Sequence, residues 1–190
     1  HVMANVGEDL QVAEGEKVIA IKKEKDTFVV TTENGKTHES KTVLISSGSG
    51  RRKLEAIGAD RLEHKGLTYC ASCDGPIFAD MDVVVIGGGN AGFESAAQLL
   101  AYCKSVTLLH RSDTFRADEV TVEKLSKNPK FKAIKNVDIL EVTGEKFVDG
   151  IKFKNKETGE MTDMKVSGIF VEIGQIPNTA YAKDIVTLNE

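Results

Sequence analysis

At 190 residues the chain has room for one ordinary domain, or for one domain and part of another. Its 41% hydrophobic and 28% charged residues are those of a soluble globular protein with enough apolar mass for a core. A net charge of -4 argues against nucleic acid as the main partner, since phosphate binding needs a clustered basic surface, and no apolar run approaches the roughly 20 residues that span a bilayer. No secretory leader is visible, and His1-Val2-Met3 reads as a cut or an added scar rather than a natural start.

In chain order, the first segment reads as strands. Val18-Ile19-Ala20-Ile21 and Thr27-Phe28-Val29-Val30-Thr31 are apolar and β-branched, with the charged turn Glu24-Lys25-Asp26 between them. Asn34-Gly35 is a strong hairpin dipeptide, because both residues tolerate positive φ. A further strand is expected at Thr42-Val43-Leu44-Ile45, running into the flexible Ser46-Ser47-Gly48-Ser49-Gly50. Arg51 to Gly66 is charged, and reads as a linker with little regular structure.

Cys70-Ala71-Ser72-Cys73 follows, spaced for a two-residue disulfide loop. Half of a zinc site is an alternative, but His64 has no matching partner at metal-finger spacing, so no metal is expected. Two buried structural thiols are another. Asp74, beside the second cysteine, favours the redox reading, since a carboxyl there can shuttle the proton that thiol–disulfide exchange requires. Three cysteines, one pair and the distant Cys103, suit a redox pair in a cytoplasmic protein better than a secreted scaffold. Cys103, on an apolar helical run, reads as a buried structural thiol.

Val83-Val84-Val85-Ile86 is a fully apolar run, as expected of a parallel strand covered on both faces. Gly87-Gly88-Gly89-Asn90-Ala91-Gly92 comes directly after it, and helical periodicity continues through Phe93, Ala96, Ala97, Leu99 and Leu100. Gly87 permits a tight turn, Gly89 lets backbone approach a pyrophosphate, and Gly92 lets helix and strand pack. The alternative is a strand-to-helix turn that merely favours glycine. Val106 to Leu109 is a second buried strand and Ala117 to Lys127 an amphipathic helix, giving a β-α-β-α pattern. That strand ends in His110-Arg111-Ser112-Asp113-Thr114-Phe115-Arg116, with arginines where an NAD-binding fold places an acid. Guanidinium pairs a 2′-phosphate that a carboxylate would repel, so NADPH is favoured over NADH; the alternative is a solvated basic turn.

Short strands at 137–140, 150–153, 161–166 and 169–173 complete the chain as a small antiparallel meander, with Thr158-Gly159 as a hairpin turn and the final strand free to rejoin the parallel sheet. The fold expected is α/β: a Rossmann-like parallel sheet with helices plus a small antiparallel β-meander, preceded by a second, partial β-meander.

Tyr69-Cys70-Ala71-Ser72-Cys73-Asp74-Gly75 resembles the active-site motif of the low-molecular-weight thioredoxin reductases and of the flavoprotein subunit of alkyl hydroperoxide reductase. Gly87 to Gly92, His110 to Arg116 and Ile173-Gly174-Gln175-Ile176-Pro177-Asn178-Thr179 are similar to further motifs of that family, in the same order. The resemblance implies that NADPH reduces FAD, the flavin reduces the disulfide, and the dithiol reduces thioredoxin or a similar small redox protein. It implies that Cys73 faces the flavin, Cys70 exchanges with the partner and Asp74 is the acid–base group. Arg111 and Arg116 would hold the 2′-phosphate, and Ile173 and Gly174 join the cofactor-binding positions. Residues 1–51 are then a partial FAD-binding domain, 52–176 the NADPH and dithiol domain, and 177–190 the start of the return to the FAD domain. The parent is expected to be a homodimer.

Two departures from the pattern follow. Ser112 stands where the family usually has arginine, and losing that charged contact costs on the order of 1–3 kcal/mol, so the preference for NADPH is expected to be weaker. The family's own FAD glycine loop and closing Gly-Asp segment have no counterpart here, so the chain is expected to be an internal fragment that alone neither holds FAD nor turns over. The hydroperoxide reductase flavoprotein, which supplies a peroxiredoxin, ranks second because an acidic strand tip is missing. A non-catalytic dinucleotide-binding module ranks third. Because dithiol and nicotinamide ride on one domain, yet both must reach one flavin, that domain is expected to swing on linkers near 48–52 and 174–178.

Overall fold

The computed structural model describes residues 11–187, and the chain divides into two compact units, one of residues 1–50 with 176–190 and the other of 51–175. The reading of His1-Val2-Met3 lies outside the described residues, as do the extreme ends of the two outer segments.

In the first unit, β1 (Val18–Glu24), β2 (Thr27–Thr32) and β3 (Thr37–Ser40) form an antiparallel sheet in that order. The Asn34-Gly35 turn fixes the register, pairing Thr31 with Thr37 and Phe28 with Ser40. The third strand is therefore Thr37–Ser40 and not Thr42–Ile45, which is irregular and leaves Leu44 exposed. By Ser40 the partner strand has nearly run out, so the apolar residues beyond it have no ladder to join, whatever their propensity. A 3₁₀ turn, Ala180–Ala182, packs the fully buried Ala182 in this unit.

Two short strands, β4 (Ser49–Arg51) and β13 (Gln175–Pro177), pair where the chain passes from one unit to the other. Within the second unit Arg52 N–H donates to the Gly174 carbonyl at 3.0 Å.

The second unit is built on a five-stranded parallel sheet. Its strands are β5 (Leu67–Thr68), β6 (Asp82–Ile86), β7 (Ser105–Leu109), β8 (Phe131–Ile134) and β12 (Gly168–Val171), in the spatial order β5-β12-β6-β7-β8. Alternation along β6 decides the layers. Val83 and Val85 face one core with Phe93, Ala96 and Leu99 of α3 (Asn90–Leu99) and Leu125 of α4 (Glu119–Ser126). Val84 and Ile86 face the other, with Val142, Ile151 and Phe153 from an antiparallel meander of β9 (Val137–Thr143), β10 (Gly150–Asn155) and β11 (Met161–Lys165). Each such side chain, fully buried, stabilises the fold by about 1.5–3 kcal/mol. The last strand, β12, does rejoin the parallel sheet, between β5 and β6.

Residues 51–66 are not a loose linker. They carry α1 (Ala59–Leu62), bury Ala59 and Leu62, and bridge Ile57 to β9 through hydrogen bonds to Leu140 and Val142. Their charged residues face water while a few apolar ones close the meander core, a pattern too sparse to show as a period. Among the described residues no helix is long and apolar enough to cross a membrane.

Candidate dithiol and dinucleotide sites

Cys70 and Cys73 form a disulfide across the short helix α2 (Ala71–Asp74), with their Cα atoms 5.3 Å apart. Cys70 is the extended residue that caps this helix, and its Sγ accepts the Cys73 N–H at 3.2 Å. Ala71 is buried and anchors the turn, whereas Ser72 and Cys73 are exposed. A 3₁₀ turn, Gly75–Phe78, continues the chain and buries Phe78 edge-on against Phe170 of β12. Gly75 packs on Leu99 and Tyr102, at the C-terminal end of α3.

Gly87, at φ +129°, lies so close to the Glu172 carbonyl that a Cβ there would stand 2.1 Å from it. A Cβ on Gly92 would stand 2.0 Å from the Gly87 carbonyl, and one on Gly88 would meet the His110 and Phe115 rings. Protein packing therefore demands glycine at 87, 88 and 92. At Gly89 a Cβ would meet nothing within 4 Å. Gly89 is the N-cap of α3 and offers no side-chain cap to the amides of the first turn.

The tip of β7 is folded onto this loop. Arg116 N–H donates to the Gly88 carbonyl at 2.8 Å, and Asp118 N–H donates to Asn90 Oδ1 at 2.8 Å. His110 is buried, with Nε2 2.9 Å from the Thr114 carbonyl, so that nitrogen carries the proton. Burial lowers its pKa, the Thr114 contact opposes this, and Arg111, Arg116 and Lys135 add to the lowering. A neutral His110 thus shapes the tip from within. Arg111 and Arg116 are exposed, and neither makes an ion pair among the described residues. Ser112 is half-buried, and its carbonyl accepts the Asn136 amide.

Glu172-Ile173-Gly174, directly after β12, is the third segment at this edge of the sheet. Open α/β sheets bind ligands where the strand order reverses, here between β12 and β6. Ile173 packs on the meander core, and Gly174 has φ +102°. The structure therefore gathers the glycine loop, the arginine tip and this segment at one edge of the sheet. The dithiol is set apart from them. It backs onto the far end of α3, and a ten-residue helix is about 15 Å long. Among the described residues no cluster of three or more His, Cys, Asp or Glu is placed to hold a metal.

The whole chain, residues 1–190, matches the family Pyridine nucleotide-disulphide oxidoreductase. The chain belongs to that family. It is 42% identical over 188 residues to a subunit of alkyl hydroperoxide reductase in Staphylococcus aureus (strain MRSA252), a match covering 96% of this chain and 36% of that protein. In structure it resembles the thioredoxin reductase of Lactococcus lactis, with a TM-score of 0.79 and 33% identity over 90% of this chain and 56% of that one. The thioredoxin reductase of T. acidophilum gives a TM-score of 0.79 and 34% identity, over 95% and 59% of the two chains. The resemblance expected from the four motifs thus holds, as does the α/β fold class. The chain spans about a third of the length of the curated relatives it matches.

Two residues of the chain escape a reading by motif. Thr68 Oγ1 donates to Asp74 Oδ2 and accepts the Cys70 N–H at 3.4 Å. Glu172 accepts the Ser95 hydroxyl at 2.7 Å and stands 3.5 Å from Arg51, and burial raises its pKa against both contacts. A threonine in a strand and a glutamate after one give no period or spacing to notice. The strand–glycine–helix context was the one available signal for position 172.

Proposed function

We propose that the protein of which this chain is part is a flavoprotein disulfide reductase that passes electrons from NADPH to a thioredoxin-like protein through the Cys70–Cys73 pair. One observation carries the reading: a disulfide whose Cys73 is exposed, with its own carboxyl, shares a compact unit with a glycine loop whose Gly89 is not required by packing. The pyrophosphate would lie over Gly87 to Gly92, including the Asn90 and Ala91 amides, and Arg111 and Arg116 would pair the 2′-phosphate beside Ser112. His110 would hold the tip in shape, and Ile173 and Gly174 would line the nicotinamide side.

When bound, the nicotinamide would supply a hydride and FAD would pass its two electrons to the disulfide. No residue of 51–175 is assigned to FAD. Once reduced, the Cys70 thiolate attacks the partner disulfide and releases one partner thiolate. Asp74 takes the proton of the Cys73 thiol and hands it to that departing sulfur. The Cys73 thiolate then attacks Cys70 Sγ, re-forming the internal disulfide and releasing the second partner thiolate, which takes a proton from water. Two electrons leave the dithiol, and one disulfide becomes two thiols. A dithiol re-reduced in this way belongs in a reducing compartment, so we place the protein in the cytoplasm, as a homodimer.

A second reading, in which a peroxiredoxin is the electron acceptor, is favoured by the 42% identity to a hydroperoxide reductase subunit. Full-length protein supplied with NADPH or NADH, and with a thioredoxin or a peroxiredoxin disulfide, separates the two by nucleotide consumption and thiol count. The first reading expects faster thioredoxin reduction with NADPH; peroxiredoxin reduction alone overturns it. Removing either arginine should weaken NADPH binding roughly ten- to a hundredfold, since a hydrogen bond to a charged group is worth about 1.5–3 kcal/mol, and should leave NADH binding unchanged. Calorimetry on the chain itself is the check.

A further inference from the structure

We infer that Thr68 is a positioning residue for the dithiol chemistry, holding the Asp74 carboxylate in place for proton exchange; this rests on the acid–base reading of Asp74. Thr68 lies on β5, the edge strand that pairs with β12, with Phe170 opposite Thr68 in the register. It is 6% exposed, so its hydroxyl is shielded from water. A β-branched side chain has few χ1 choices, and here the ladder fixes its backbone as well.

The hydroxyl has one proton, and that proton goes to Asp74 Oδ2. Its oxygen accepts the Cys70 N–H, and Cys70 Sγ accepts the Cys73 N–H. Thr68 thereby ties the carboxylate, at the end of α2, to the backbone of the cysteine at the start of α2. Among the described residues Asp74 makes no ion pair, so this hydroxyl is its fixed side-chain contact. A carboxylate held by one rigid donor keeps the second oxygen available for a moving proton.

The exchange to be tested is balanced as above. The Cys70 thiolate and the Cys73 thiol lose two electrons and one proton, which Asp74 carries from Cys73 to the departing sulfur, and the target disulfide becomes two thiols with its second proton taken from water. Two targets separate positioning from mere structure. Glutathione disulfide releases an alkyl thiolate that needs a proton, whereas the aryl disulfide 5,5′-dithiobis(2-nitrobenzoate) releases a thiolate stable without one.

The chain, reduced with dithiothreitol and desalted, is mixed with each disulfide as wild type, T68V, T68S, D74N and T68V/D74N. The T68V rate with glutathione disulfide should fall about tenfold, less than the roughly hundredfold or more that a general acid–base group itself supplies, while the first thiolate released from the aryl disulfide comes off within twofold of wild type. T68S should restore the rate, and the double variant should be no slower than D74N. Equal slowing with both disulfides, no slowing, or multiplying effects in the double variant overturns the inference. If D74N itself reacts with glutathione disulfide like wild type, the Asp74 reading fails, a distinct result. If T68V does not melt cooperatively, T68A takes its place in the same cycle, with the same outcomes deciding.

Discussion

Gly89 and Gly92 sit three residues apart in one loop, yet packing requires glycine only at Gly92. At Gly92 the obstacle is the chain itself, a carbonyl 2.0 Å from where a Cβ would stand. G92A should therefore cost about 1–3 kcal/mol of stability through overpacking, seen as a lower melting temperature without any ligand. At Gly89 the backbone, with φ -96° and ψ -178°, suits any residue, and the space is open. G89A should melt within about 0.5 kcal/mol of wild type yet bind NADP⁺ at least tenfold more weakly by calorimetry, if a pyrophosphate takes that space. The sequence pattern revealed the loop but could not divide its glycines into these two kinds, because what decides is the folded path of the loop at Gly92 and, at Gly87 and Gly88, neighbours distant in sequence, Glu172 and the His110 and Phe115 rings. Glu172 adds a pH dependence. Burial raises its carboxyl pKa in the fold, so its contribution to stability is complete below the unfolded value and is lost as pH rises through the folded one. E172Q keeps an acceptor for Ser95 and cannot ionise. It should melt above wild type at pH 8 and together with it at pH 4, by scanning calorimetry.

At the scale of elements, what could be read was whatever is covered on both faces. The apolar runs of β6 and β12 are continuous because helices lie on one side and the meander on the other. The strand β8 is a sheet edge, with lysine interleaved at 132, and gave no such run. Thr42–Ile45 failed in the opposite sense: its apolar, β-branched residues have strand propensity, but the turn at Asn34-Gly35 had already set which residues pair. The helix α4 shows how a local signal gains a second task. Asp118 is its N-cap, accepting the Thr121 N–H at 3.1 Å, and the same residue's N–H donates to Asn90 in the glycine loop. D118A should cost about 1 kcal/mol, a drop of about 2–4 °C for a chain of this size. The N90L variant should spare α4 while freeing the arginine tip, read as protease sensitivity at Arg111 and Arg116.

At the scale of the molecule, the two units are put together differently. The first draws its described residues from 11–50 and from 176–187, so neither stretch alone completes it. The second is one uninterrupted run, 51–175, containing both core clusters, the dithiol, the glycine loop and the arginine tip. Its two ends are tied together by the Arg52–Gly174 hydrogen bond. A chain segment with its own sheet, its own cores and its ends adjacent has what independent folding needs. Residues 51–175, produced alone, should therefore unfold in a single cooperative transition and bind NADP⁺ within about threefold of the whole chain, since no group assigned to the nucleotide lies outside them. Cys103 provides an internal monitor. It is fully buried and its thiol is pushed up to about 11, so in a native unit at pH 8 only Cys70 and Cys73 should take up iodoacetamide after reduction. Two alkylated cysteines by mass spectrometry, rising to three in denaturant, would mark the excised unit as folded. Three alkylated without denaturant, or a melt with no cooperative step, would mean that 51–175 needs the rest of the chain to hold its core.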